Sequence, residues 1–217
     1  MSINIFRKKD KIKTPMKSGL TDTAVIVAGM GRCGTTMLRD ALRKYGFEST
    51  PYLRRFSDCF IYGNGKVYKS HYYPPDRLPY NVKLIYMFGN PLDIAISTNN
   101  QINRWGRLHH DHHGSSLFKG TNELYFDDTL QLGKHFNVWY KHHKFPFISI
   151  KYESLYNYNT REMLNKYLGF KLELPPYVKR QSCWLNHPMK QELLKTYGDL
   201  HRRIEESDDV KIWDTVT

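Results

Sequence analysis

Thr23-Ala24-Val25-Ile26-Val27-Ala28-Gly29-Met30-Gly31-Arg32-Cys33-Gly34-Thr35-Thr36 is the stretch that decides the fold of this chain. From Ala24 to Ala28 it is continuously apolar, as a strand covered on both faces must be, and such strands belong to parallel sheets. Glycines then stand at 29, 31 and 34. Their freedom lets backbone N–H groups curl round an anion, and a following helix N-terminus adds partial positive charge. Beyond them Met37, Leu38, Ala41, Leu42 and Tyr45 recur at helical spacing over Thr36–Tyr45, and Gly46 is a suitable stop. Residues 23–46 are therefore expected to form a strand, a glycine-rich turn and a helix.

The unit recurs along the chain. Lys66–Lys69 is expected as a short strand and Val82–Phe88 as a second buried one. Asn90 suits a helix cap, Pro91 the first helical position and Asp93 the first turn, so a helix is expected from Pro91 to about Gln101. A polar loop follows over Arg104–Gly120. Asp127 and Asp128 then open a helix carrying Leu130, Phe136, Trp139 and Tyr140. Phe147–Ile150 is a third buried strand, and Thr160–Leu168 and Met189–Ile204 are helical. Strands alternating with helices predict an α/β fold, a parallel sheet flanked by helices. Ligands bind such sheets where strand C-termini feed helix N-termini.

Composition bounds the function. The chain has 217 residues, 40% hydrophobic and 25% charged, which excludes wholesale disorder and collagen-like repeats. A single domain over residues 21–217 is expected, preceded by a basic, flexible arm over residues 1–20. The formal net charge of +12 implies an anionic partner. The basic residues are spread along the chain without a recognition-helix or aromatic-basic pattern, so nucleic acid is not expected. Three scattered cysteines argue for a reducing compartment, and a cytoplasmic location is the expectation. The longest apolar stretches are far too short to span a membrane. His109-His110-Asp111-His112-His113 is read as a solvated loop rather than a metal site, and no metal is expected.

The loop Gly29–Thr36 has spacing like the nucleoside-triphosphate motif G-x-x-x-x-G-K-[ST], but Thr35 replaces the lysine and the cation has moved into the loop as Arg32. As G-x-x-R-C-G-T-T it resembles the 5′-phosphosulfate loop of the sulfotransferases that use 3′-phosphoadenosine 5′-phosphosulfate (PAPS), enzymes with a P-loop NTPase-like α/β fold. The resemblance implies that Arg32 contacts the phosphosulfate, and that the backbone of Gly31, Cys33 and Gly34, with Thr35 and Thr36, holds the 5′-phosphate.

Three further islands carry the resemblance. Lys69-Ser70-His71-Tyr72-Tyr73-Pro74 is similar to the family's K-T-H-x-x-P, which implies His71 as the base that takes the acceptor proton and Lys69 as the stabilising cation. Gly89-Asn90-Pro91-Leu92-Asp93-Ile94-Ala95-Ile96-Ser97 is similar to the 3′-phosphate segment R-[ND]-P-x-D-x-x-x-S, which implies Ser97 as a 3′-phosphate ligand. Gly89 stands where the family has Arg, and Arg104, Arg107, Lys179 and Arg180 are the candidate replacements. Lys151-Tyr152-Glu153-Ser154-Leu155 resembles [RK]-Y-E-[DS]-L, implying that Tyr152 contacts adenine while Glu153 orders the loop. Lys179 and Arg180, ahead of Trp184, resemble a basic segment that closes over the 3′-phosphate.

The first three islands follow the family's order. The implied function is sulfuryl transfer from PAPS, with adenosine 3′,5′-bisphosphate (PAP) as product, to the hydroxyl or amine of a small molecule or glycan. Two other readings stand beside it: a nucleotide kinase or triphosphatase with a degenerate loop, and a non-catalytic anion-binding module of the same fold.

Overall fold

The computed structural model describes residues 22–50, 53, 61–105, 122–141, 144–178 and 183–214. The expected arm over residues 1–20, most of the expected loop from Arg104 to Gly120, the histidine run at 109–113, Arg107, Lys179 and Arg180 lie outside the described residues.

The chain runs β1 (Ala24–Gly29), α1 (Thr35–Tyr45), β2 (Glu48–Ser49), β3 (Lys66–Ser70), β4 (Val82–Phe88), α2 (Pro91–Trp105), α3 (Leu132–Tyr140), β5 (Phe147–Lys151), α4 (Tyr158–Leu168), α5 (Lys190–Glu205) and β6 (Val210–Trp213). The strands form one sheet in the order β2-β3-β1-β4-β5-β6. Every neighbouring pair is parallel except β5 with β6, which is antiparallel. The α/β fold with a mostly parallel sheet flanked by helices is thus the observed one. The departure from an all-parallel sheet is the β6 edge.

β1 is central and fully buried along its length. β3 and β4 lie on either side of it, so the chain reverses direction across the sheet at β1, and the cleft there is the natural ligand position. Registers Ala28↔Ser70, Gly29↔Met87 and Phe88↔Lys151 align the C-terminal ends of β3, β1, β4 and β5. The residues that follow each strand, His71, Met30, Gly89 and Tyr152, therefore emerge along one edge.

Packing fixes that edge. Tyr86 stacks on Trp139 at 4.8 Å between centroids, and Phe147 stacks on Trp213 at 5.7 Å. Such offset aromatic pairs add to ordinary area burial. Trp213 Nε1 donates to Ser149 Oγ at 2.8 Å, pinning β6 to the sheet. Lys83 donates to the carbonyls of Tyr167 and Leu168 at 2.9 and 2.7 Å, placing a cation on the C-terminus of α4. Asn90 caps α2 as expected: its Oδ1 accepts from the N–H of Leu92 at 3.0 Å and of Asp93 at 3.4 Å. The Asp128 carboxylate does the same for α3, accepting from Leu132 and Gly133 N–H, both at 2.9 Å.

Candidate anion-binding and transfer site

Between β1 and α1 the backbone enters the left-handed region twice, at Arg32 (φ 62°) and Gly34 (φ 81°). A branched or bulky residue resists this conformation, so its use at Arg32 marks a turn built for a purpose. Cys33 holds the turn from beneath. Its buried thiol donates to the carbonyls of Met30, at 2.5 Å, and Met87, at 3.1 Å. The side chain thus faces the core. Gly34 is required twice over: φ is positive, and an added Cβ would lie 2.6 Å from the Tyr152 ring. Tyr152 therefore covers the turn at its junction with α1.

No side chain caps α1 and no acid stands in its first turn. Its first N–H groups and its positive dipole end remain for an anion. Two cations converge there. Arg32 is exposed and its Nε donates to Ser97 Oγ at 3.0 Å, which joins the Gly29–Thr36 loop to the Gly89–Ser97 segment. Lys69, on β3, donates from Nζ to Thr36 Oγ1 at 2.8 Å, which joins the Lys69–Pro74 segment to the Gly29–Thr36 loop. Burial, then the neighbouring Arg39 and Arg32 guanidinium groups, lower the Lys69 ammonium from 10.5 to about 8. Thr35 is buried at the start of α1, while Thr36 faces out.

His71 follows β3 and is buried, with 7% of its surface exposed. Its Nδ1 lies 2.7 Å from the Gly29 carbonyl oxygen. A carbonyl only accepts, so Nδ1 carries the proton and Nε2 the lone pair. This is the tautomer a base needs. The ring also lines a small pocket with Met30, Ile94, Thr98, Leu132 and His135. Thr98 is fully buried, and its Oγ1 has no hydrogen-bond partner among the described residues.

At the fourth motif, Lys151 is buried and structural. It pairs with Asp209 at 3.2 Å and donates to the Glu205 and Ser207 carbonyls. Glu153 orders its surroundings: Oε1 accepts from Asn90 N–H at 3.0 Å. The same carboxylate fills the space beside Gly89, where a Cβ would meet its two oxygens at 3.0 and 3.1 Å. An acid thus occupies the space that a side chain at position 89 would enter. Trp184 N–H donates to Asp93 Oδ1 at 2.9 Å, which sets the C-terminal segment against the first turn of α2.

Arg32, Lys69, Thr36, Ser97, His71 and Tyr152 are brought to one edge. His135 was not singled out in the sequence, and Trp139 was read only as an apolar position of its helix. His135 Nε2 donates to the His71 carbonyl at 3.2 Å, and Trp139 Nε1 to the Tyr72 carbonyl at 3.1 Å. Their i, i+4 spacing puts both on one helix face, a signal shared by any pair of core residues. Among the described residues no group of three or more His, Cys, Asp or Glu is placed to hold a metal ion, and no helix is long and apolar enough to cross a membrane.

The fold and the edge define an α/β protein with a glycine-containing turn at an uncapped helix N-terminus, two cations beside it and a buried histidine. No family model matches the chain, and no curated protein matches it. Among solved structures, the chain is similar to a sulfotransferase from Alicyclobacillus acidocaldarius, with a TM-score of 0.49 and 16% sequence identity, covering 84% of this chain and 94% of that one.

Proposed function

We propose that this protein transfers a sulfuryl group from PAPS to the hydroxyl or amine of an acceptor. The observation that carries the reading is the junction of three ordered motifs at one strand edge: Arg32 on Ser97, Lys69 on Thr36, and His71 on the carbonyl of Gly29, in the turn's own strand. The donor supplies an activated sulfur on a 5′-phosphate leaving group. In the transfer an acceptor oxygen–sulfur bond forms, the bond from sulfur to the 5′-phosphate oxygen breaks, and PAP leaves.

The chain's residues do the rest. The N-terminus of α1, which no side chain caps, and the backbone of the turn hold the 5′-phosphate. Arg32 and Lys69 neutralise charge that gathers on the sulfuryl and bridging oxygens in the transition state. His71 takes the acceptor proton at Nε2, while Gly29 holds Nδ1–H and with it the tautomer. Positioning supplies most of the rate, as in phosphoryl transfer.

The test is transfer of label from ³⁵S-PAPS to a panel of small hydroxyl compounds and glycans, with slow release of free sulfate as the acceptor-independent readout. His71→Asn should lower transfer about 100-fold or more, with PAP affinity kept. Label loss that is the same in wild type and variant would refute the assignment.

One observation favours a second reading, a module that binds anions without turnover. The Glu153 carboxylate beside Gly89 opposes a 3′-phosphate at the start of α2. That reading predicts no sulfate release by wild type.

A further inference from the structure

His135 is a buried polar residue, with 7% of its surface exposed, and the mechanism above leaves it unused. Burial lowers its pKa to about 4, so it is neutral at physiological pH. Its Nε2–H goes to the His71 carbonyl at 3.2 Å. Its Nδ1 is therefore an acceptor, facing the Tyr86 hydroxyl at 3.4 Å. Burial raises the Tyr86 pKa, so the phenol keeps its proton and donates it. Both imidazole nitrogens are committed, which excludes His135 itself as a base.

One turn along the same helix, Trp139 donates to the next carbonyl, that of Tyr72, at 3.1 Å. A third bond runs the other way, from Tyr73 OH to Gln131 Oε1 at 2.9 Å, just ahead of α3. Consecutive carbonyls of an extended strand point to opposite sides. One helix can take both only if the chain bends at Tyr72, as it does. The helix is itself anchored by Asp128 at its first turn.

We propose that His135 is a positioning residue for His71: with Trp139 it clamps the backbone carbonyls of His71 and Tyr72, holding the His71 imidazole against Gly29 at the mouth of the anion-binding turn. Its role as an aid to transfer rests on the function proposed above. The clamp itself does not, because it fixes the His71 ring whether or not sulfur moves. A buried leucine would fill most of the same volume and take the His135 donor away from the His71 carbonyl. A buried carbonyl stripped of its partner seeks another, which moves the segment.

The experiment compares His135→Leu, which removes the donor, with His135→Gln, whose amide nitrogen reaches nearly as far as Nε2. The full chain is used, with ¹⁵N-labelled histidine and His71→Asn to assign the His71 ring. In wild type the His71 ring should show the Nδ1–H tautomer. In His135→Leu it should become a tautomer mixture, kcat for sulfate release should fall at least tenfold, and KM for PAPS should stay within twofold. His135→Gln should recover kcat to within threefold of wild type.

Unchanged His71 signals in His135→Leu would overturn the proposal. So would equal damage in both variants, since His135 would then be filling space. A shifted His71 signal in a protein whose wild type transfers nothing would leave the clamp standing and sink the proposed function instead. Trp139→Phe removes Nε1–H together with the pyrrole half of the indole and keeps an aromatic ring in the core. It carries the same test if His135→Leu fails to fold.

Discussion

Lys69 offers a pH test of the anion site. Its ammonium titrates at about 8 instead of 10.5, because burial and then the Arg39 and Arg32 charges disfavour the cation. A phosphate bound at Thr36 and the α1 N-terminus supplies the missing counter-charge and returns the value toward 10.5. The cation is present below the free-site value and lost as pH rises through it. Anion affinity is therefore full below about pH 8 and falls above it. With full restoration the affinity for PAP at about pH 9.5 is lower than at about pH 7 by about 25-fold, or ~1.9 kcal/mol. Lys69 is only partly buried, so solvent screening makes this an upper limit. Arginine stays charged throughout. Titration calorimetry with PAP at the two pH values, on wild type and Lys69→Arg, reads the effect. Wild type should lose affinity and Lys69→Arg should not. A flat wild-type profile, or the same slope in both proteins, would refute the reasoning.

Glu153→Gln removes the acid beside Gly89 and keeps an acceptor for Asn90 N–H. The preference for PAP over AMP should rise roughly threefold or more in competition titrations, and an unchanged ratio would clear Glu153 of selecting against the 3′-phosphate. Gly34→Ala forces a side chain into φ 81° and against the Tyr152 ring, so thermal melts should show a loss of about 1–2 kcal/mol or more, together with weakened PAP binding. Native-like stability with native affinity would show that the turn tolerates another shape. Asp128→Ala strips two N–H groups of α3 of their acceptor and should cost about 1 kcal/mol in urea unfolding without a change in m-value.

Elements whose local sequence and burial agree were legible. β4 spans Val82–Phe88 as expected because every residue from Leu84 to Phe88 is buried. The turn from Gly29 to Thr35 was legible from its glycines. α2 was legible from its Asn90 cap, though it continues to Trp105. β6 was not. Val210–Trp213 is short, holds a lysine, and becomes a strand only through pairing with β5. β2, two residues long, carries no pattern of its own. Within the site, Arg32, Lys69, His71 and Ser97 were found through motifs, but their contacts with Ser97, Thr36 and Gly29 are tertiary facts. His135 is one of ten histidines, and its bond to the His71 carbonyl spans distant parts of the chain. The acid beside Gly89 comes from the next strand's end and was expected only to order its loop.

The central claim is a site for a 5′-phosphorylated, sulfate-activated adenine nucleotide. Thermal unfolding of the full chain with PAP, beside AMP, ADP and Mg²⁺-ATP, tests it most directly. At about 100 times Kd a ligand adds about 2.7 kcal/mol to stability. The account predicts a rise with PAP larger than with AMP or ATP, and its loss in Arg32→Ala. Stabilisation by Mg²⁺-ATP alone, or by none of the four, would contradict it.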